Sequence, residues 1–510
     1  MLTDNTQSLI EHLYQYRDSQ HPAVQDAALT LTYAELIGLV DHTAAQLHTA
    51  GVKPGDRVLV MLTNSTEHIV GVLAIIALGA IAVPLDAEAG NARLADVVRQ
   101  TSPRLCVAGE HLDTPPTMQI FRLHIDNTVN AARDPASGAG RFAQQQHPVA
   151  FIRFTSGSTG QAKGVIIDHA QQLWTARTLS GYFGIDTEHR ELVLVSMALS
   201  GGWQRVAATL YGGGCVIIGE KPLSVGDLLD MVVDTGATGF FTPPPLVRML
   251  LSNPADKVRS ALQNCRTIEI GSAAMTADEL RALTALAPQA HIFFHYGLTE
   301  CSRAAILDAS RHPEKLATAG RPLPEVDVKI VDDEGRTLAT GQNGQIFVRG
   351  PQLTRGYWQQ PGLDRERFIA GWLATGDYGY IDEDGFLTLL GRHDDLINCG
   401  GHCYFPDEVE QALGTPGGIE QYLVAGVADP RGILQQVPWA FVVPGNEEEW
   451  SPGEFLALAR ARLPAHMMPR QVIVVPRLPL TASGKPDRRE TVKLYASKGK
   501  NSNDEQNRDH

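Results

Sequence analysis

The chain lacks the marks of several protein classes. No apolar run approaches the roughly 20 residues a membrane helix needs. The most apolar segment, Ile69–Leu85, is broken by Gly71, Gly79 and Pro84 and ends at Asp86, so it reads as a buried helix and strand. The N-terminus, MLTDNTQSLIEHLYQYRD, has no basic start followed by an apolar core, which excludes a secretory signal. Cysteines are few. The six (Cys106, Cys215, Cys265, Cys301, Cys399, Cys403) are scattered, as expected for reduced cytoplasmic thiols. Cys399 and Cys403 flank His402, but no second ligand pair has matching spacing, so zinc is not indicated. Basic residues are in deficit, 43 against 57 acidic, for a net charge of −14 and with no basic block. That argues against a nucleic-acid or anionic-membrane partner. An acidic shell does not attract an anionic nucleotide either, so a nucleotide site must gather positive groups locally.

What is present is ordinary for a soluble enzyme: 43% hydrophobic and 20% charged residues. A length of 510 residues exceeds a single core and implies at least two domains. The first half alternates helix and strand signals. Thr32-x-x-Glu35 is a capping box that opens a helix with Leu36, Val40 and Leu47 on one face, closed by Gly51 and Pro54. Arg57–Leu62 reads as a buried strand, Asn64–Leu78 as a helix and Ile81–Leu85 as a strand. The rhythm continues through strands at Val193–Ser196, Cys215–Ile218, Phe240–Thr242 and Thr267–Ile270. The expected fold is α/β, with parallel helix-covered sheets in a large N-terminal domain.

From about Ala319 short strands (Val326–Val331, Gly344–Val348, Phe386–Leu390) between Gly/Asp turns suggest a small β-barrel-like module. The charged stretch Arg392-His-Asp-Asp395 is a domain boundary candidate. Beyond it, helices at Pro406–Leu413 and Pro452–Leu463 and strands at Tyr422–Val427 and Trp439–Val443 give a small α+β domain. The expected division is 1–391, 392–496 and a disordered tail, 497–510, which holds no large apolar residue. No carrier domain follows, so the expectation is a free-standing enzyme.

One segment is chemically distinctive. Phe154-Thr-Ser-Gly-Ser-Thr-Gly-Gln-Ala-Lys-Gly164 sets the hydroxyls of Thr155, Ser156, Ser158 and Thr159 among Gly157 and Gly160, then adds Lys163. Small residues let a backbone fold closely around a polyanion, whose oxygens take hydrogen bonds from N–H groups and hydroxyls. Lys163 supplies countercharge. The spacing is not that of a Walker loop. Alone, the segment could also be a Ser/Gly-rich turn.

Three later segments bear on that choice: Tyr296-Gly-Leu-Thr-Glu300, Thr375-Gly-Asp377 before Gly391-Arg-His-Asp-Asp395, and Thr481-Ala-Ser-Gly-Lys485. In order and spacing the set resembles the adenylate-forming superfamily of acyl- and aryl-CoA synthetases, nonribosomal peptide adenylation domains and beetle luciferases. The resemblance runs from about Thr30 to about Arg489. It implies ATP-dependent conversion of a carboxylic acid to an acyl adenylate, then transfer to a pantetheine thiol. The acceptor is CoA or the phosphopantetheine of a separate carrier protein. A third reading, a non-catalytic ligand-binding descendant, is disfavoured by the intact Lys485, Glu300 and Asp377.

Each motif then acquires an implied task. The 155–164 loop would hold the β- and γ-phosphates. Thr299 and Glu300 match catalytic positions, with Glu300 as an oxygen ligand of Mg²⁺; the plain alternative for Glu300 is a charge at a helix N-terminus. Tyr296 offers a face for adenine, followed by Gly297, and His295 stands where many relatives carry an adenine-contacting Asn. Gly271-Ser-Ala-Ala274, with Ser272 and Ala273, resembles the segment that closes over the adenine. Asp377 would accept from the ribose hydroxyls, being acceptor-only, and Arg392 would add a ribose contact; alternatively, Thr-Gly-Asp is good turn chemistry. Lys485 resembles the lysine that bridges the substrate carboxylate and the α-phosphate. Asp394 matches the hinge of the second half-reaction, and Gly400 and Gly401 match the segment that approaches the thiol tunnel.

Aligning Tyr211–Ile218 with the corresponding family strand places Leu199 where α-amino-acid-activating domains carry Asp. Leu192–Val206 contains no acidic residue. An ammonium buried there would be unfavourable. An acid without an α-ammonium is expected, unless a carboxylate from another segment enters the pocket. Trp203 either walls that pocket or belongs to the core.

Overall fold

A computed structural model describes residues 8–87, 89–109, 118–125, 147–155, 162–219, 222, 224–400, 402–414, 416–445, 450–480 and 486–496. Residues 497–510, expected to be a disordered tail, lie outside this set.

The chain forms two compact units. The first comprises 1–328, 348–373 and 385–387, and the second 329–347, 374–384 and 388–510. This division groups part of the mid-chain strand region with the C-terminal residues, and so differs from a cut at 391/392.

Two sheets organise the first unit. Across the larger, the strands run Arg321–Pro322, Ala305–Asp308, His291–Tyr296, Thr267–Ile270, Gly239–Thr242, Arg190–Val193, Cys215–Ile218, Pro22–Gln25 and Thr30–Thr32. Its centre, from Pro22–Gln25 to His291–Tyr296, is parallel. The strands on the far sides of these two are antiparallel. The second sheet runs Gly356–Tyr357, Lys163–Asp168, Val149–Thr155, Ile81–Pro84, Arg57–Met61, Leu105–Ala108 and Ile120–Arg122. Central strands such as Ile81–Pro84 are buried at every residue, which is why they lack apolar/polar alternation.

The helices follow local chemistry. Thr32 and Glu35 form the expected reciprocal cap: the Glu35 N–H donates to Thr32 Oγ1 at 3.2 Å and the Thr32 N–H to Glu35 Oε2 at 2.9 Å. The helix Tyr33–Thr49 buries Leu36, Val40 and Leu47, the face expected from their spacing. Helix Thr66–Ala77 is buried along its length, as its near-continuous apolar sequence requires.

The second unit takes in most of the strands Gly344–Arg349, Trp372–Ile381 and Leu387–Arg392, members of a five-stranded sheet where the small barrel-like module was expected. It also holds a three-stranded sheet. Ile419–Ala428 pairs antiparallel with Gln436–Pro444, which pairs parallel with Gln471–Val474. Helices Pro406–Leu413 and Pro452–Arg462 pack on it through Val409, Leu413, Phe455 and Ala459. Among the described residues no helix is long and apolar enough to cross a membrane.

Candidate active site

The strands on either side of the glycine/hydroxyl segment pair antiparallel. Thr155 pairs with Lys163 where the strands Val149–Thr155 and Lys163–Asp168 end. Both ends of the loop are therefore fixed in one sheet. Ser156, Gly157, Ser158, Thr159 and Gly160 lie outside the described residues. Next to Lys163, the Trp358 N–H donates to the Gly164 carbonyl at 2.7 Å. A side chain at Gly164 would meet Ile152 at 2.9 Å and the Phe154 ring at 3.1 Å, so glycine permits the close pairing of the two strands.

His295 and Tyr296 end a buried strand of the larger sheet, and Gly297 begins the turn after it. A Cβ at Gly297 would lie 1.8 Å from the Ser302 carbonyl oxygen, so no other residue fits this turn. Tyr296 is more enclosed than an open adenine shelf, at 7% exposure. Thr299 and Glu300 are half-buried in the turn. Glu300 is not at the start of a helix, which removes the dipole reading. Its carboxylate is oriented instead by a residue the sequence did not reveal. Tyr357 Oη donates to Glu300 Oε1 at 2.8 Å, and the Thr354 N–H holds the Glu300 carbonyl at 2.7 Å. Burial, and then the Glu300 charge, push the Tyr357 phenol far above its ordinary pKa, so it remains a donor. The second carboxylate oxygen has no protein partner among the described residues. A half-buried oxygen of this kind fits a hard cation such as Mg²⁺.

Gly271 follows the strand Thr267–Ile270, and the backbone turns sharply at Ser272, whose φ is +70°. That is the left-handed region, costly for a non-glycine residue and a frequent property of functional segments. Ser272 is exposed and Ala273 half-buried.

Under these turns lies a buried charge network that the sequence did not disclose. Arg303 reaches Glu269 at 3.0 and 3.2 Å and also touches Gln204. Arg205 grips Glu191 at 2.8 and 2.5 Å, and its Nε lies 3.7 Å from Glu269. His189 meets Glu191 at 2.9 Å, and His295 Nδ1 lies 2.7 Å from Glu269. Burial pushes the Glu269 carboxyl up, but Arg303 and His295 outweigh it and hold the group well below the carboxylate range. Burial, then Arg303, lower the His295 pKa, which Glu269 offsets only in part. His295 is thus a neutral ring seated on an anion. Gly271 leaves room for it, since a Cβ there would fall 2.0 Å from the ring.

Leu199 is 45% exposed and occupies the N-cap of helix Ser200–Tyr211. Trp203 is 1% exposed and packs on Phe151 with ring centroids 5.7 Å apart, in the core of the first unit. The core alternative for Trp203 therefore gains weight.

In the second unit Asp377 sits within the strand Trp372–Ile381, not in a turn. Gly376 takes φ +77°, and Thr375 Oγ1 accepts from the Asp377 N–H at 3.1 Å. Arg392 Nη1 lies 2.9 Å from Asp377 Oδ1, which brings the two expected ribose residues together. Residues His393–Asp395 form a short 3-10 turn containing Asp394. Gly400, at φ +63°, turns the hairpin whose Cys399 and His402 are paired. Gly401 and Lys485 lie outside the described residues, as does the Asp394 side chain.

The paired strands flanking the glycine/hydroxyl segment, the oriented Glu300 carboxylate and, in the second unit, the Asp377–Arg392 pair each fit an ATP-using, adenylate-forming ligase. Residues 13–358 match the AMP-binding enzyme family and residues 408–485 the AMP-binding enzyme C-terminal domain; the chain belongs to this family and is an AMP-forming acid–thiol ligase. It is 31% identical to a feruloyl-CoA synthase from Amycolatopsis sp. over 91% of this chain and 94% of that protein. It is 28% identical to tyrocidine synthase 3 from Brevibacillus parabrevis over 94% of this chain but 7% of that much longer protein. Among solved structures it is similar to ATP-bound MatB from Rhodopseudomonas palustris, with a TM-score of 0.85, 25% identity, and coverage of 96% and 99% of the two chains.

Proposed function

We propose that the enzyme activates a carboxylic acid without an α-ammonium group and passes its acyl group to CoA. The observation that carries the first part is the charge network. The one rescue open to an amino-acid substrate was a carboxylate from outside residues 192–206. The nearest two by sequence and packing, Glu191 and Glu269, are already taken by Arg205, Arg303, His189 and His295. Neither is left to pair with an ammonium.

In the reaction a carboxylate oxygen of the acid attacks the α-phosphorus. The bond to the bridging oxygen breaks and pyrophosphate leaves. Catalysis is mostly positioning and charge stabilisation. Thr155, Ser156, Gly157, Ser158, Thr159, Gly160 and Lys163 hold the departing phosphates. His295, Tyr296, Gly297, Ser272 and Ala273 bound the adenine. Asp377 accepts from the ribose hydroxyls, with Arg392 beside it, and Lys485 neutralises charge between the two reacting anions. Glu300 would hold Mg²⁺, which supplies countercharge to the phosphates. In the second half-reaction the thiol sulfur attacks the acyl carbon, loses its proton, and AMP departs. Residues from 392 onward turn about Asp394, and Gly400 and Gly401 line the approach of the thiol. Similarity to feruloyl-CoA synthase supports CoA and an aryl or other medium-sized acid. Similarity to the much longer tyrocidine synthase 3 supports the second reading, a separate carrier protein. We place the enzyme in the cytoplasm because its six cysteines are few and scattered along the sequence, as expected for reduced thiols.

The test is acid-dependent pyrophosphate exchange over aryl, fatty and amino acids, followed by thioester formation with CoA for the best acid. Exchange is expected with simple carboxylates above every α-amino acid. The reverse order would refute the substrate reading, and adenylation without CoA-dependent thioester would favour the carrier.

A further inference from the structure

Arg153 stands in the middle of the buried strand Val149–Thr155 and is 4% exposed. Its Nη1 donates to the Ala198 carbonyl at 2.7 Å, and its guanidinium lies over the Phe151 ring, 4.7 Å from the centroid. Its Nη2 is buried and has no partner among the described residues. Among the described residues of this unit the other two fully buried arginines, Arg205 and Arg303, each meet a glutamate. Arg153 meets none among the described residues, and burial alone pushes its pKa down to about 9. The nearby His68 adds no second cation, since burial pushes it down to about 4 and Arg153 adds to that shift, but a neutral ring supplies no anion either. An isolated buried cation is expensive, and proteins rarely keep one without an anion to meet it.

The groups beside it share the same want. Ala198 precedes Leu199, the N-cap of the 12-residue helix Ser200–Tyr211, and the cap makes no side-chain hydrogen bond. The first turn contains no acidic residue. Free N–H groups and the helix dipole make that end attractive to an anion. Ser200 Oγ and Trp203 Nε1 are also buried without a partner among the described residues. The Trp203 ring contacts the same Phe151 over which Arg153 lies.

We propose that Arg153 and the start of the helix Ser200–Tyr211 bind an oxyanion carried by the acid substrate, a second carboxylate distinct from the one that is activated. The proposal rests on the acid-activating reading, with Leu199 bordering the acyl site and Trp203 in the core behind it. A nucleotide phosphate is the other source of an oxyanion, because Thr155 of the phosphate-type loop is two residues away. The guanidinium, however, lies over Phe151 and donates to the Ala198 carbonyl, beside the start of the helix.

The experiment compares matched acids, benzoate with isophthalate and butyrate with glutarate, in pyrophosphate exchange by the wild type, Arg153→Met and Arg153→Lys. In parallel, the melting temperature is followed with each acid and with ATP alone. The wild type should prefer the diacid in at least one pair by about 10-fold or more. Arg153→Met should lose that preference, keep exchange with the monoacid, and melt no lower than the wild type without ligand. Arg153→Lys should recover part of the preference. The diacid should raise the melting temperature of the wild type and not of Arg153→Met. Preference for the monoacid in both pairs, or an equal fall for both acids in Arg153→Met, would overturn the proposal. So would weaker ATP stabilisation in that variant with acid preference unchanged. Exchange with no acid at all would refute acid activation itself, while the melting shifts would still decide the anion site.

Discussion

Glu300 shows how much of a site rests on one neighbour. Its carboxylate projects from a turn that imposes no helical rotamer, so the Tyr357 hydroxyl sets its direction. A hydrogen bond to a charged acceptor contributes roughly 1.5–3 kcal/mol. Tyr357→Phe should leave the protein folded, reduce pyrophosphate exchange about 10-fold, and raise the Mg²⁺ concentration at which nucleotide binding is half-maximal. An unchanged Mg²⁺ titration would show that the phenol is structural. Lys485→Ala should leave ATP binding intact and slow exchange by about 10²–10³-fold, because the lysine acts mainly on transition-state charge. Wild-type exchange in that variant would remove Lys485 from the chemistry. Glu300, Asp377 and Lys485 were visible in the sequence because each lies in a short motif. Tyr357 and the Glu269–Arg303 pair were not, because their partners are 57 and 34 residues away and carry no local signal.

At the scale of elements, caps and apolar periods were legible and buried charges were not. The helix starting at Tyr33 and the strand Cys215–Ile218 fall where the sequence put them. The strand expected at Val193–Ser196 runs instead through Arg190–Val193. His189, Arg190 and Glu191 carry no apolar signal, yet Glu191 is 1% exposed because Arg205 neutralises it from the next helix. Asp377 was likewise open to a turn reading, since a strand with glycine at φ +77° looks like a turn from sequence alone. The element most open to a functional test is the turn His393–Asp395. It is closed by the Leu396 N–H donating to the His393 carbonyl at 3.3 Å, so proline at 394 would remove no hydrogen bond from it. Asp394→Pro should therefore keep adenylation near the wild-type rate and block thioester formation, by restricting φ to about −65° where the second half-reaction needs it to change. Parallel loss of both half-reactions would show a folding defect, and loss of neither would exclude a hinge.

Over the whole molecule, pH should act on the two units in opposite directions. In the first unit burial pushes Glu191 and Glu269 up, but their arginine and histidine partners outweigh it and hold both below their ordinary pKa. Their stabilisation is present above the ordinary carboxylate value and is lost as pH falls below it. In the second unit Glu410 behaves in reverse. Its oxygens meet the Val424 N–H at 2.7 Å and Arg488 at 2.8 Å, but burial, with Asp407 adding to it, outweighs Arg488 and pushes the carboxyl up to about 7. A raised carboxyl favours the fold while protonated, so this contribution is full below about 4.5 and fades as pH rises through about 7. Asp395, also raised by burial, acts in the same sense. Amide exchange resolved by segment separates the two effects. Protection of the strand Ile419–Ala428 should fall by roughly 1–3 kcal/mol between pH 5 and 8, and Glu410→Gln should flatten that slope. Protection of Thr267–Ile270 should instead hold at neutral pH and weaken toward acid. A rise in Ile419–Ala428 protection from pH 5 to 8 would mean that Arg488, and not burial, governs Glu410.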